Sequence, residues 1–166
     1  MFQSGPMQIL GVYRQELFCE TYPITVSFTL PEERSIYSMR SGKFLGTGAS
    51  FTSSFFGGDV DFFAMLPYEV KAIQAEVPTQ AHRGQMLEGI IKLQISKGAA
   101  GPHVIFVQVK GPDGALRPYF EQKLVLSNGQ APLRLPIAWN EPPGTYTLLV
   151  RDVASGTQAQ AKWEVR

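Results

Sequence analysis

The stretch Leu87-Glu-Gly-Ile-Ile-Lys-Leu-Gln-Ile-Ser96 alternates along its length. Leu87, Gly89, Ile91, Leu93 and Ile95 fall on one face, and Glu88, Lys92, Gln94 and Ser96 fall on the other. Successive side chains of a strand point to opposite faces, so this period of two predicts a half-buried strand. The pattern repeats outward in both directions. Upstream, Ile73, Ala75 and Val77 predict a strand that Pro78 stops. Downstream, residues 98–102 turn the chain. Residues 104–110 are rich in β-branched side chains, which predicts a central strand.

Turn signals close each run. Gly111-Pro-Asp-Gly114 predicts a hairpin, because Pro presets one turn angle and Gly supplies positive φ. A strand over 116–125 returns, and Ser127-Asn-Gly129 is a second hairpin signal. Leu133, Leu135 and Ile137 form the next inward set. Glu141-Pro-Pro-Gly144 turns, and Tyr146, Leu148 and Val150 follow. Ala154-Ser-Gly156 leads into Ala159, Ala161, Trp163 and Val165. About seven strands in about 100 residues, with frequent turns, is the immunoglobulin-like or fibronectin-like pattern. Tyr146, just after a Pro-Gly turn, is expected to be a structural tyrosine corner, and Trp163 to be core.

The first half is also β-patterned. Ile24, Val26, Phe28 and Leu30 alternate with Thr25, Ser27 and Thr29. Pro31-Glu-Glu is expected to turn the chain into a strand at 35–39, and Ser41-Gly42 to turn it again. Strands at 43–46, 50–56 and 60–66 follow, with Gly57-Gly-Asp59 between the last two. About six strands over 7–66 suit a small sandwich. Helical periodicity with caps is almost absent. The expected fold class is therefore all-β: two tandem antiparallel β-sandwiches at 7–66 and 67–166, divided at Pro67. The alternative is one continuous larger sandwich. Two sandwiches joined so closely are expected to share an interface.

Composition narrows the partners. The chain has 166 residues, 44% of them hydrophobic and 17% charged, with a formal net charge of +1. That charge creates no field to attract nucleic acid or anionic lipid. The start, at residues 1–6, has neither a signal-peptide pattern nor a membrane span, so no membrane insertion is expected. Residues 2–6 look like the remnant of an expression tag and are set aside; an export signal would lie upstream. Arg166, one residue past the last expected strand, fits a natural C-terminus. Cys19 is the only cysteine, so an internal disulfide is excluded. It is expected to act as a small buried hydrophobe.

Two motifs carry a resemblance. Ser35-Ile-Tyr-Ser-Met-Arg-Ser-Gly-Lys-Phe-Leu-Gly46 and Asp61-Phe-Phe-Ala-Met-Leu-Pro67 resemble the C-terminal β-sandwiches of large bacterial glycoside hydrolases, with Ser38 where an Asp usually stands. Residues 103–114 and 144–161 resemble fibronectin-like and macroglobulin-type sandwiches. The resemblance implies a non-catalytic structural or accessory module at the end of a larger, exported, carbohydrate-active protein. Its place would be extracellular or periplasmic, and its partners the other domains of that protein. The alternatives are a carbohydrate-binding module, with polysaccharide as partner, and a protein-interaction or envelope spacer.

Residues that could carry chemistry are few. His82 and His103 lack companions at ligand spacing, so surface or turn packing is expected for both and no metal or cofactor is implied. Asp59 and Asp61 supply too few oxygens for calcium. Glu121, Glu141 and Asp152 are scattered, and solvated faces are expected for them, so no catalytic residue is assigned. Aromatic residues are the strongest remaining signal. Trp139, in a loop, and Tyr119 and Phe120, adjacent on an expected strand, are the candidate ligand-binding residues. The plainer expectation is that they cover edges and the seam between domains.

Overall fold

The computed structural model describes residues 1–15 and 22–166; Cys19 lies outside the described residues. The all-β expectation holds. Thirteen strands and a single turn of 3-10 helix make up the described regular structure. The chain divides into two compact units, Met1–Glu69 with Ala154–Gly156, and Val70–Val153 with Thr157–Arg166.

The first unit is one antiparallel sheet that folds over itself. Its strands are β1 (Phe2–Ser4), β2 (Met7–Tyr13), β3 (Ile24–Ser38), β4 (Lys43–Phe55) and β5 (Val60–Leu66), in the order β1-β2-β5-β3-β4. The residues set aside at the start are not idle, because Phe2–Ser4 pairs with β2 through Phe2↔Ile9 and Ser4↔Met7. Pro31 does not turn the chain either. It sits inside β3, where the register against β4 shifts between Thr29 and Arg34. A bulge is a place where a strand can hold Pro, since the ladder is already interrupted there. Among the described residues of 7–66, four strands therefore stand where six were expected.

That bulge splits the pairing of β3. Residues 35–38 pair with β5, whereas residues 24–29 pair only with β4. The outer end of the β3–β4 hairpin leaves the ladder and faces β5. Its rings meet there. Phe28 stacks on Phe51 at 4.7 Å and lies 5.8 Å from Phe63, and Phe55 meets Phe63 edge-on at 6.3 Å. Ile36 and Met65 complete this core, with Leu10 and Val12 against it. Each buried aromatic or aliphatic side chain contributes about 1.5–3 kcal/mol of apolar transfer.

The second unit is a two-sheet sandwich. One sheet holds β11 (Gln130–Pro136), β8 (Met86–Ile95) and β6 (Val70–Glu76). The other holds β10 (Gln122–Leu126), β9 (His103–Lys110), β12 (Gly144–Asp152), β13 (Gln158–Val165) and the two-residue β7 (Gln80–Ala81), in that order. As expected, β9 is central, and the inward sets Leu87, Ile91 and Leu93, Leu133 and Leu135, and Leu148 and Val150 are buried. Asn128 and Gly129 both have positive φ, 52° and 75°, as a tight hairpin turn requires. That turn carries the chain from one sheet to the other, between β10 and β11.

His103 and Asp152 depart from expectation. Both are fully buried, and His103 Nδ1 lies 2.9 Å from Asp152 Oδ1. The reason is periodicity. On β9, positions 103, 105, 107 and 109 face inward, and on β12 so do 146, 148, 150 and 152. The inward row thus runs one position past the apolar residues on each strand and ends on a polar one. Buried polar groups need partners, and these two supply a partner to each other.

Candidate functional site

The candidate residues lie on two segments of the second unit, the 118–120 turn and the 138–142 loop. Pro118 has no N–H to give a ladder, so the strand expected over 116–125 is interrupted. A turn of 3-10 helix, Pro118–Phe120, takes its place, with Phe120 N–H donating to Arg117 O at 3.0 Å. The turn leaves the two adjacent rings in contact but unequally covered. Tyr119 is 63% exposed and Phe120 only 2%. Phe120 is thus a core residue beneath Tyr119, with ring centroids 4.8 Å apart, and is not placed to touch a ligand.

Opposite Tyr119 is the loop between β11 and β12. A backbone bond from Glu141 N–H to Ala138 O, 3.2 Å, tightens it. Trp139 at its tip is 79% exposed. Its indole lies over Gly84, so closely that a methyl group there would collide with the ring. Gly84 is also at φ 79°, a conformation side chains rarely adopt. Trp139 thus lies against Gly84 and does not line the cleft that Tyr119 borders, so the structure does not join these two candidates in one platform.

Tyr119 instead meets the other side of the loop. A cleft of about 260 Å³ is lined by Tyr119, Ala138, Asn140, Glu141 and Pro142. Glu141, like Asp152, is misplaced by sequence reasoning. It is 4% exposed rather than solvated, and its Oε2 accepts the Tyr146 hydroxyl at 2.6 Å. The same hydroxyl lies 3.0 Å from Pro142 O, so the expected tyrosine corner at Tyr146 is present, with a carboxylate added to it. The spacing of an acid five residues before a corner tyrosine was the available signal. Trp163 is core as expected, stacked on Tyr146 at 5.6 Å.

Electrostatics follow from this packing. Burial, then the hydrogen bond to Glu141, pushes Tyr146 well above the usual tyrosine range. The same causes in the same order push Tyr119 up to about 12. Nearby, Arg117 Nη2 is 3.0 Å from Asp113 Oδ1. The Arg117 side chain, then the Ala115 N–H, holds the Asp113 carboxyl below its usual value.

Among the described residues, no three His, Cys, Asp or Glu side chains gather in a metal-binding group. Asp59 and Asp61 are engaged locally: Asp59 accepts the Phe56 N–H at 2.7 Å, and Asp61 accepts the Ser38 hydroxyl at 2.9 Å. No helix among the described residues is long and apolar enough to cross a membrane.

No family model matches the chain, and no curated protein matches it. Several solved structures match the chain at low identity and low TM-score. One is a β-glucosidase from Listeria innocua, TM-score 0.40 at 16% identity, covering 67% of this chain and 17% of that one. Another is a glycosyl hydrolase family 2 member from Bacteroides cellulosilyticus, TM-score 0.37 at 10% identity, covering 94% of this chain and 26% of that one. A third is a β-glucuronidase from Bacteroides uniformis, TM-score 0.33 at 16% identity, covering 84% and 26% respectively. The chain thus spans between 17% and 26% of the length of these similar structures. All three are named as glycosidases or glycosyl hydrolases.

Proposed function

We propose that the chain is a non-catalytic structural or accessory β-sandwich module of a larger, exported, carbohydrate-active bacterial protein. The observation that carries this reading is how the buried acids are used. Glu141 is bonded to the corner tyrosine Tyr146, and Asp152 to His103. Glycoside hydrolysis needs two carboxylates facing one another across a substrate cleft. Among the described residues, the two buried acids brace the sandwich.

The larger setting rests on the two sequence motifs. The other domains of that protein are the partners this reading names, and its location is the periplasm or cell exterior. The immunoglobulin- or fibronectin-like assignment of the second unit is part of the same proposal. The three-stranded sheet β11-β8-β6 opposed to the sheet centred on β9 and β12 supports it.

A hydrolysis assay tests the central claim. The intact chain, given aryl β-glucosides, β-glucuronides and β-galactosides, should release no aryl alcohol above the uncatalysed rate. Turnover that Glu141→Gln abolishes would overturn it.

A further inference from the structure

We propose that the cleft between Tyr119 and the 138–142 loop binds one pyranose ring of a neutral polysaccharide, stacked on Tyr119 and hydrogen-bonded to Asn140 and Glu141. The inference goes beyond the accessory role, since a module can brace an enzyme without touching glycan.

The size comes first. About 260 Å³ lies just below the range of drug-sized pockets, which suits a single sugar ring. The chemistry agrees. A pyranose presents a C–H face and a rim of hydroxyls. Tyr119 offers an exposed ring with a polar tip, the amphipathic surface such a ligand needs. The Glu141 carboxylate is an acceptor with about four lone-pair sites. The Tyr146 hydroxyl takes one of these, leaving acceptor capacity for a ligand that brings O–H donors. Asn140, exposed on the same rim, can donate and accept.

Charge decides between ligand classes. Arg117, whose field reaches both tyrosines, is paired to Asp113, so the negative charge of Glu141 faces the cleft. An acidic sugar would meet that charge unfavourably. A quaternary ammonium such as choline would be drawn to it, but its recognition uses an aromatic cage. The cleft has one ring, because Trp139 is turned onto Gly84. A neutral ring is the ligand that remains. The site is also preformed. The Tyr146 bond fixes the carboxylate, and Pro142 and Pro143 stiffen the loop, which lowers the ordering cost of binding.

The test titrates the intact chain with gluco-, xylo-, galacto- and manno-oligosaccharides, with oligogalacturonate and choline as separate arms. Calorimetry and the emission of Trp139, in the same loop, report binding. Saturable binding of at least one neutral oligosaccharide is expected. Tyr119→Ala should weaken it about tenfold, and Asn140→Ala should weaken it severalfold, with both variants unfolding at the wild-type midpoint. Oligogalacturonate should bind more weakly. No binding across the neutral panel, equal binding by Tyr119→Ala, or tighter binding of choline would each overturn the proposal. Those results leave the non-catalytic reading standing, since only the hydrolysis assay bears on it.

Discussion

The Tyr146 hydroxyl donates to Glu141 Oε2 across 2.6 Å, in a place where Tyr146 has no exposed surface and Glu141 only 4%. A buried carboxylate is costly without donors, so the corner tyrosine and the acid depend on each other. Tyr146→Phe should therefore destabilise the second unit by about 1.5–3 kcal/mol, the range for a hydrogen bond to a charged group. Glu141→Gln should cost less, because its amide oxygen can still accept from Tyr146. Urea unfolding followed by tryptophan emission measures both, and equal midpoints for Tyr146→Phe and wild type would contradict the account.

Burial of the tyrosine hydroxyls at this corner makes stability depend on alkaline pH. Tyr119 is held up to about 12 in the fold against about 10 for a free phenol, and Tyr146 shifts the same way. Between those values the folded chain keeps protons that the unfolded chain has lost. Stability therefore falls as pH rises. The contribution is full below about pH 10 and disappears as pH passes the folded values. Thermal melts across this window should show the midpoint falling more steeply for wild type than for Tyr119→Phe. Parallel slopes would remove Tyr119 from the effect.

His103 and Asp152 form a second buried dependence, 49 positions apart in sequence. Asp152→Ala removes an acceptor from a fully buried imidazole and should destabilise the chain by about 1–3 kcal/mol. A surface pair would lose almost nothing on such a change, so the size of the loss distinguishes the buried arrangement from the turn-packing role expected for His103.

In the first unit, Phe63 is fully buried and in ring contact with Phe28, Phe51 and Phe55. Phe63→Ala should cost about 3–5 kcal/mol, through lost transfer energy and the cavity left behind. Phe62→Ala, next door on β5 and 44% exposed, should cost far less. Paired denaturation curves of the two variants test whether the bent hairpin closes over β5.

The Asn128–Gly129 turn provides a backbone test. Gly129 has φ 75°, and an added Cβ would also lie 3.3 Å from Ala100 Cβ. Gly129→Ala should destabilise by about 1–2 kcal/mol, whereas Asn128→Gly should be near neutral. Equal effects of the two would argue against this turn geometry.

Local patterns were legible in the residues themselves. The period of two over 87–95, 133–137 and 146–150 decided which side chains are buried, because strand geometry imposes that period whatever the partner strand. Gly114, Asn128 and Gly129 marked turns because few residues tolerate positive φ. Tyr146 and Trp163 were placed in the core for the same local reasons.

What needed the tertiary structure was every feature that depends on distant residues. Pro31 reads as a turn until the register shift against β4 gives it a bulge to occupy. His103 and Asp152 read as surface residues until β9 and β12 align and bring their polar ends into one row. Tyr119 and Glu141 lie on separate segments, and only the 3-10 turn at Pro118 together with the 138–142 loop brings them to one cleft. The sequence alone determined an all-β chain of inward and outward faces, because alternation is a property of a single strand. Which polar groups are buried, and which aromatic ring borders a cleft, was decided by packing, because burial depends on what lies on the other side.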